Sequence, residues 1–289
     1  MSKVLVTGGA GFIGSNLVDA LIERGDEVTV WDNLDTGHYE NVNKEAKFEE
    51  IDISKDDDLY SCGEYETIYH LAALARIQPS FKKPVITSEA NVNGTQNILE
   101  TAKRAGARVV YAGSSSFYHD PLVNPYSFTK WIGEEYCKMY NKVYNVSVGI
   151  ARFFNVYGPR QLGEGAYATV MGIFERQRRA GEPLTVTGTG EKRRDFTHVK
   201  DIVAGLIAIG QSDWNGEIFN LGTGTNYSIN EVAKMFKPKE ISYLPNRPGE
   251  AETTLADTAF SQEKLGYTPQ VKLEEYIQEF LQNLNVKET

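Results

Sequence analysis

The sequence predicts an α/β fold: a doubly wound parallel sheet with helices on both faces, and a smaller C-terminal α/β lobe interleaved with it. Three observations predict it. Strand-length apolar runs alternate with helical stretches through the first half, the pattern of a parallel sheet covered on both sides. A glycine-rich turn joins the first strand to the first helix. Beyond residue 155 the rhythm loosens into glycine turns (Gly158-Pro159, Gly163, Gly188, Gly190, Gly222, Gly224) and shorter elements.

In chain order, strands are expected at 3–7, 27–31, Thr67–Leu71, Arg108–Ala112 and Val146–Ala151, with helices near 14–24, 90–106 and 126–144. Right-handed crossovers put a ligand at the carboxyl ends of such strands. Residues 1–154 read as the main domain, with segments near 195–222 returning to it, and 155–289 as a substrate-holding lobe.

The first turn is the most informative stretch. Val4-Leu5-Val6-Thr7 runs into Gly8, Gly11, Phe12, Ile13 and Gly14, then into the helical pattern Leu17-Val18-Ala20-Leu21-Ile22. Gly8 permits the sharp turn, Gly11 lets backbone approach a pyrophosphate, and Gly14 lets helix pack on strand. The pyrophosphate would sit on the free N–H groups of the helix start. The next strand ends at Asp32, whose carboxylate can accept both ribose hydroxyls of NAD and repel the 2′-phosphate of NADP. A glycine turn in some other α/β protein is the competing reading; strand, helix and acid at the right separation weigh against it. This is a Rossmann-type dinucleotide site.

Composition narrows the partners. With 289 residues, 41% hydrophobic and 24% charged, the chain can bury a real core. No apolar run approaches a membrane span, and the N-terminus passes directly into a strand, so no signal peptide is expected. A net charge of −9 argues against nucleic acid. The dense basic cluster Lys192-Arg193-Arg194 suits one small diphosphate instead. Cys62 and Cys137 form no metal spacing or disulfide framework, and the four histidines are scattered. A cytoplasmic protein without a metal is the expectation.

Tyr126-Ser127-Phe128-Thr129-Lys130 opens the longest helical stretch. Residues four apart share a helical face, so the Lys130 ammonium is expected beside the Tyr126 phenol. A tyrosine of pKa about 10 is a poor base; a nearby ammonium and a positive nicotinamide would both favour phenolate. Upstream, Val109-Val110-Tyr111-Ala112 leads to Gly113-Ser114-Ser115-Ser116, hydroxyls at the mouth of a strand that can donate to the same substrate oxygen. Alone, the Tyr126/Lys130 pair reads as an ordinary helix-surface pair; the dinucleotide site and the serine cluster make it a candidate catalytic set.

These motifs, together with Asp52-Ile53, His70-Leu71-Ala72-Ala73, Asn91-Val92-Asn93-Gly94-Thr95, Arg152 to Arg160, Arg194-Asp195-Phe196, Asn220-Leu221-Gly222 and Arg247-Pro248-Gly249-Glu250, run nearly end to end. On them the chain resembles the extended short-chain dehydrogenases/reductases of the nucleotide-sugar epimerase/dehydratase branch. The resemblance implies Tyr126 as acid/base, Lys130 on the nicotinamide ribose and Ser114 on the sugar hydroxyl. It implies Asp32 and Asn33 on the adenosine ribose and Asp52 and Ile53 at the adenine. Leu71, Ala72, Ala73, Asn91 and Phe153 would border the cofactor. Ser115 and Ser116 would face the sugar, Asn155, Arg194 and Arg247 would clamp the diphosphate, and Val186 and Thr187 would border the base. Arginine suits a diphosphate because its charge is permanent and its contacts bidentate; a surface ion pair is the rival reading, most of all for Arg194 beside Asp195.

The resemblance also bears on the reaction. Dehydratases of the branch carry an Asp-Glu pair, and decarboxylases a Glu at the second position, where this chain has Ser115 and Ser116. Without a second acid/base, hydride and proton transfer at one carbon is the chemistry left, which favours NAD-dependent 4-epimerisation of a UDP-hexose. A uronate epimerase or decarboxylase, a sugar dehydratase, and a non-catalytic NAD-binding scaffold are the rivals. Thr254 aligns with a residue lining the sugar pocket, and its small size would admit N-acetylhexosamine. Between Tyr118 and Tyr126 the chain is about a dozen residues shorter than relatives, which opens the sugar side. Similar proteins dimerise through the helices near 90–106 and 126–144, so a homodimer is expected, with Ile98, Leu99, Ala102, Trp131, Ile132, Tyr136 and Met139 as candidate apolar faces.

Overall fold

The computed structural model describes residues 1–55 and 63–286; Cys62 lies outside them. The chain begins with β1 (Lys3–Thr7), α1 (Phe12–Glu23), β2 (Glu27–Asp32), β3 (Lys47–Glu50) and β4 (Thr67–His70). Next come the short helices α2 (Ile77–Lys82) and α3 (Pro84–Ser88), then α4 (Gly94–Ala105), β5 (Arg108–Ser114), α5 (Pro125–Tyr144) and β6 (Val148–Phe153). The remainder is β7 (Asn155–Tyr157), α6 (Val170–Ala180), β8 (Leu184–Thr187), β9 (Arg193–His198), α7 (Val199–Gly210) and β10 (Asn215–Leu221). It closes with β11 (Asn226–Ser228), α8 (Ile229–Met235), β12 (Ile241–Leu244), α9 (Ala259–Leu265) and α10 (Leu273–Val286).

Seven strands form one parallel sheet in the order β10-β6-β5-β4-β1-β2-β3. The order turns back between β1 and β4, and the cavity described below opens beside that point, as it does in doubly wound sheets. Alternation along β1 shows why the sheet is covered twice. Val4 and Val6 pack with Leu17, Leu21, Leu206 and Ile209 on one face, whereas Leu5 packs with Ile68, Ile98, Leu99 and Val109 on the other. Each such fully buried leucine contributes about 1.5–3 kcal/mol by leaving water.

A third apolar cluster, with Tyr157, Phe174, Val186, Phe196 and Phe236, lies among the later elements. There β9 pairs with β7 and β11, and β8 with β12. The chain between β9 and β10 returns to the main body, because α7 packs in the first cluster and β10 hydrogen-bonds to β6.

Two local departures from the sequence expectations have physical causes. The strand expected from Val146 starts at Val148, because Asn145 caps α5 in the left-handed conformation (φ 58°) and the Val146 amide closes that cap on the Tyr140 carbonyl. The helix expected at 90–106 enters through a wide π turn at Glu89–Asn93. That turn rotates Asn91 into the protein, 1% exposed. Ile98, Leu99 and Ala102 are core residues with no exposed surface, so they cannot form a seam between subunits.

Candidate active site

A cavity of about 340 Å³ opens at the carboxyl ends of β1, β2, β4 and β5. Its walls include Gly8, Gly11, Phe12, Ile13, Gly14, Asp32, Asn33, Asp52, Ile53, Leu71, Ala72, Ala73, Tyr126, Lys130 and Phe153, so the sequence-predicted cofactor residues converge there with one exception. Asn91 stands behind the wall. It accepts from the Leu74 amide (2.8 Å) and donates to the Thr129 hydroxyl (3.0 Å), tying the loop after β4 to the helix that carries Tyr126.

The floor of the cavity fits a dinucleotide. Gly8 has φ +73°, and a Cβ there would meet the Ala72 amide nitrogen at 2.7 Å. At Gly14 a Cβ would overlap the Gly8 carbonyl, so helix and turn touch through backbone alone. Among the described residues no side chain caps the start of α1, which leaves its first amides for an anion. The Asp32 carboxylate is oriented by the Ala10 and Leu34 amides at 3.0 and 2.9 Å, and burial raises its pKa against those bonds. Burial also pushes Asp52 upward, but hydrogen bonds from Ser54 and Lys55 outweigh it and hold that carboxyl below its usual range.

The candidate acid/base group sits at the cavity's inner end. Asn124 caps α5 by accepting from the Ser127 amide (2.8 Å), Pro125 opens its first turn, and Tyr126 follows. The Tyr126 hydroxyl lies 3.3 Å from Ser114 Oγ, which is 2.9 Å from Ser116 Oγ. The three hydroxyls form one hydrogen-bonded chain at the end of β5. Burial pushes the Tyr126 phenol above its ordinary pKa; Ser114 and the nearby Arg76 oppose this, while Glu134 adds to it.

Lys130 Nζ lies over the Tyr111 ring, 4.3 Å from its centroid, and Arg76 is a further cation that lowers the pKa of the Tyr126 phenol. Burial lowers the Lys130 pKa to about 8, against the raising effect of Glu134. His70, of the His-Leu-Ala-Ala stretch, is an internal brace between the Thr7 and Thr95 hydroxyls at 2.8 and 3.0 Å, and burial depresses its pKa to about 3.

The residues expected on the substrate side are more dispersed. The Arg194 side chain is 12% exposed, donates to the Arg193 and Glu252 carbonyls and approaches Glu250 at 4.0 Å. Asp195, its sequence neighbour, is fully buried and takes the Thr223, Gly224 and Ala256 amides, so the surface pair that adjacency suggested is not made. Arg247 is exposed, and the chain just after it is tethered by Gln78 to Pro248 and by Asn124 to Gly249. Val186 is a core residue with no exposed surface, so it can border a base only through backbone; Thr187 is half-buried beside it. Asn155 is half-buried at the start of β7. The Thr254 hydroxyl accepts from the Asp195 amide at 3.4 Å, which occupies it within the fold.

Sequence reasoning missed Arg76, Tyr167 and Leu162 in the cavity wall. Arg76 Nε donates to the Tyr167 carbonyl at 3.0 Å, drawing the loop after β7 over the cavity. A lone cation in the apolar stretch after Ala73 was the available signal. Glu134 was also missed, although it repeats the four-residue step from Tyr126 to Lys130.

Fold and site together define an NAD-dependent nucleotide-sugar enzyme on the extended short-chain dehydrogenase/reductase scaffold. The sequence profile of the NAD dependent epimerase/dehydratase family matches residues 4–222, and the chain belongs to that family. It is 37% identical to a Methanocaldococcus jannaschii protein provisionally named UDP-glucose 4-epimerase, over 95% of each chain. It is also 37% identical to Xenopus tropicalis UDP-glucuronic acid decarboxylase 1, covering 94% of this chain and 70% of that one. Among solved structures, the UDP-glucose 4-epimerase of Thermotoga maritima with UDP-glucose superposes with a TM-score of 0.93 at 32% identity, over 99% of this chain and 100% of that one. NAD is the cofactor of this fold, and the uncapped helix, the glycine floor and Asp32 are the groups of this chain that fit it.

Proposed function

We propose that the protein interconverts the C4 epimers of a UDP-hexose, UDP-glucose and UDP-galactose foremost, through a transient 4-keto sugar. The carrying observation is the hydroxyl chain Tyr126–Ser114–Ser116 at the end of the cavity, with serines where a dehydratase or decarboxylase would need carboxylates. Bound NAD supplies a reversible hydride acceptor at C4. Tyr126 takes the proton of the 4-hydroxyl and later returns it, and Ser114 holds that oxygen during the transfer. Lys130, on the same helix, carries the positive charge that favours phenolate once the ribose is seated. Arg194 and Arg247 bind the diphosphate, Asn155, Val186 and Thr187 border the uridine side, and Thr254 leaves room for an N-acetyl group. On this reading residues 1–154 with the returning 195–222 segments hold cofactor, and 155–289 hold substrate. The enzyme works in the cytoplasm as a homodimer, joined through the exposed Phe128, Met139, Val143 and Tyr144 of α5.

The test is product analysis by proton NMR after incubation with UDP-glucose, UDP-N-acetylglucosamine and UDP-glucuronate. Conversion of UDP-glucose to UDP-galactose supports the proposal. Carbon dioxide release from UDP-glucuronate alone would replace it with the decarboxylase reading, which the Xenopus relative keeps in play.

A further inference from the structure

A buried ion pair joins the candidate catalytic helix to β6. Arg152 on β6 grips Glu134 on α5 with both Nε (3.0 and 3.2 Å) and Nη2 (2.5 Å). Their side chains are 3% and 1% exposed. Burying two charges costs several kcal/mol each, and apolar replacement of such a pair is commonly neutral or stabilising. Stability is therefore a weak reason for its presence. Its neighbours suggest a better one.

Glu134 lies one turn beyond Lys130 on the same helical face. A Cβ on Gly113 would meet its Oε1 at 2.8 Å, so a glycine beside Ser114 makes room for the carboxylate. Gly113 is also part of the cavity wall, and it is the register partner of Arg152. On its other side the Arg152 guanidinium stacks 3.7 Å from the Phe117 ring centroid and 4.9 Å from that of Tyr118, on the turn that carries Ser115 and Ser116. One ion pair thus touches the helix of Tyr126 and Lys130, the end of β5 and the serine turn.

We infer that Glu134 and Arg152 are positioning residues of the proposed reaction: they lock α5, which carries Tyr126 and Lys130, against the end of β5 and the serine turn. The inference rests on the proposed epimerase reading for its turnover readout only. The titratable and charged groups around Lys130 are Tyr126, Glu134 and Cys137 on its own helix, His70 on β4 and Tyr111 on β5; Arg152 on β6 stands beyond them, paired with Glu134, and Arg76 faces Tyr126. His70 is neutral near pH 7 and burial pushes the Cys137 thiol up, so Glu134 is the charge that supports the ammonium, and Arg152, paired with that carboxylate, offsets part of its effect.

The two charges therefore predict opposite shifts. In the NAD-loaded enzyme, Glu134→Gln should lower the pH at which Lys130 loses its proton by about one unit, and Arg152→Met should raise it. Both changes should lower kcat at least tenfold with KM for the UDP-sugar within about twofold. The paired variant Glu134→Met/Arg152→Met should match the wild-type melting temperature yet remain slow. Lys130 titration is followed by NMR of 13C-lysine-labelled protein, with its signal assigned by Lys130→Met. This needs no turnover, so it still decides the inference if the wild type proves inactive on every nucleotide sugar and the epimerase reading fails. Unmoved titration in both single variants, or a paired variant as active as wild type, would overturn the inference. If the paired variant unfolds, the opposite shifts in the single variants still support it.

Discussion

The cofactor side and the substrate side of the cavity are built differently. On the cofactor side, turn, helix start and carboxylate come from residues 8–33, and the fit is made by backbone: an uncapped helix, a left-handed Gly8 and two amides on Asp32. On the substrate side, the candidates Asn155, Thr187, Arg194, Arg247 and Thr254 come from separate elements across a hundred residues, held by long-range bonds such as Asn124 to Gly249 and Gln78 to Pro248. Backbone sites tolerate almost no side-chain change, whereas a dispersed set of side chains can lose members one at a time. Abrupt failure is therefore expected on the cofactor side and graded loss on the substrate side.

The largest effect tests the junction of the two sides. Tyr126→Phe removes the proton carrier and leaves the ring, so kcat should fall by about 10³-fold while NAD affinity stays within threefold. Stopped-assay turnover and fluorescence titration of NAD check the two halves of that statement. Next comes the cofactor floor. Gly14→Ala places a methyl on the Gly8 carbonyl, and NAD affinity should weaken by about two orders of magnitude, an estimate that takes the misplaced pyrophosphate contacts as about 3 kcal/mol. Near-native affinity in that variant would break the contrast.

Graded loss is the expectation on the substrate side. Arg194→Ala should raise KM for the UDP-sugar about tenfold with kcat little changed, and exposed Arg247→Ala about threefold, by initial-rate kinetics. A kcat loss rivalling that of Tyr126→Phe at either arginine would mean that the diphosphate clamp shares in the chemistry. The smallest signature is in pH. The Lys130 pKa is lowered from 10.5 to about 8, so the ammonium is present below that pH and lost above it. Turnover should fall to about half near pH 8 on the alkaline side. A flat rate to pH 10 would show that Lys130 acts without its charge.

The same difference decided how much was legible in the sequence. Strands and helices around the first turn fall where the apolar periodicity places them, because a strand buried on both faces must be apolar throughout. The glycine turn and Asp32 were readable since they follow one another within residues 8–32, whereas Asp52, Leu71 to Ala73 and Phe153 came only with the family resemblance. By contrast, β3 is Lys-Phe-Glu-Glu, a polar edge strand that leaves no apolar run to detect. Val186, which the resemblance places at the base, packs inward, because alternation sends it into the third core cluster. The Tyr126–Lys130 spacing was read correctly as a shared helical face, yet sequence spacing could not reveal that the Tyr111 ring would hold the ammonium or that Arg76 would arrive from the loop after β4.

The most direct test of the account is the fate of a deuterium placed at C4 of UDP-glucose. The expected product is UDP-galactose that retains the label at C4, with no exchange against solvent. UDP-galactose with hydrogen from water at that carbon would contradict it.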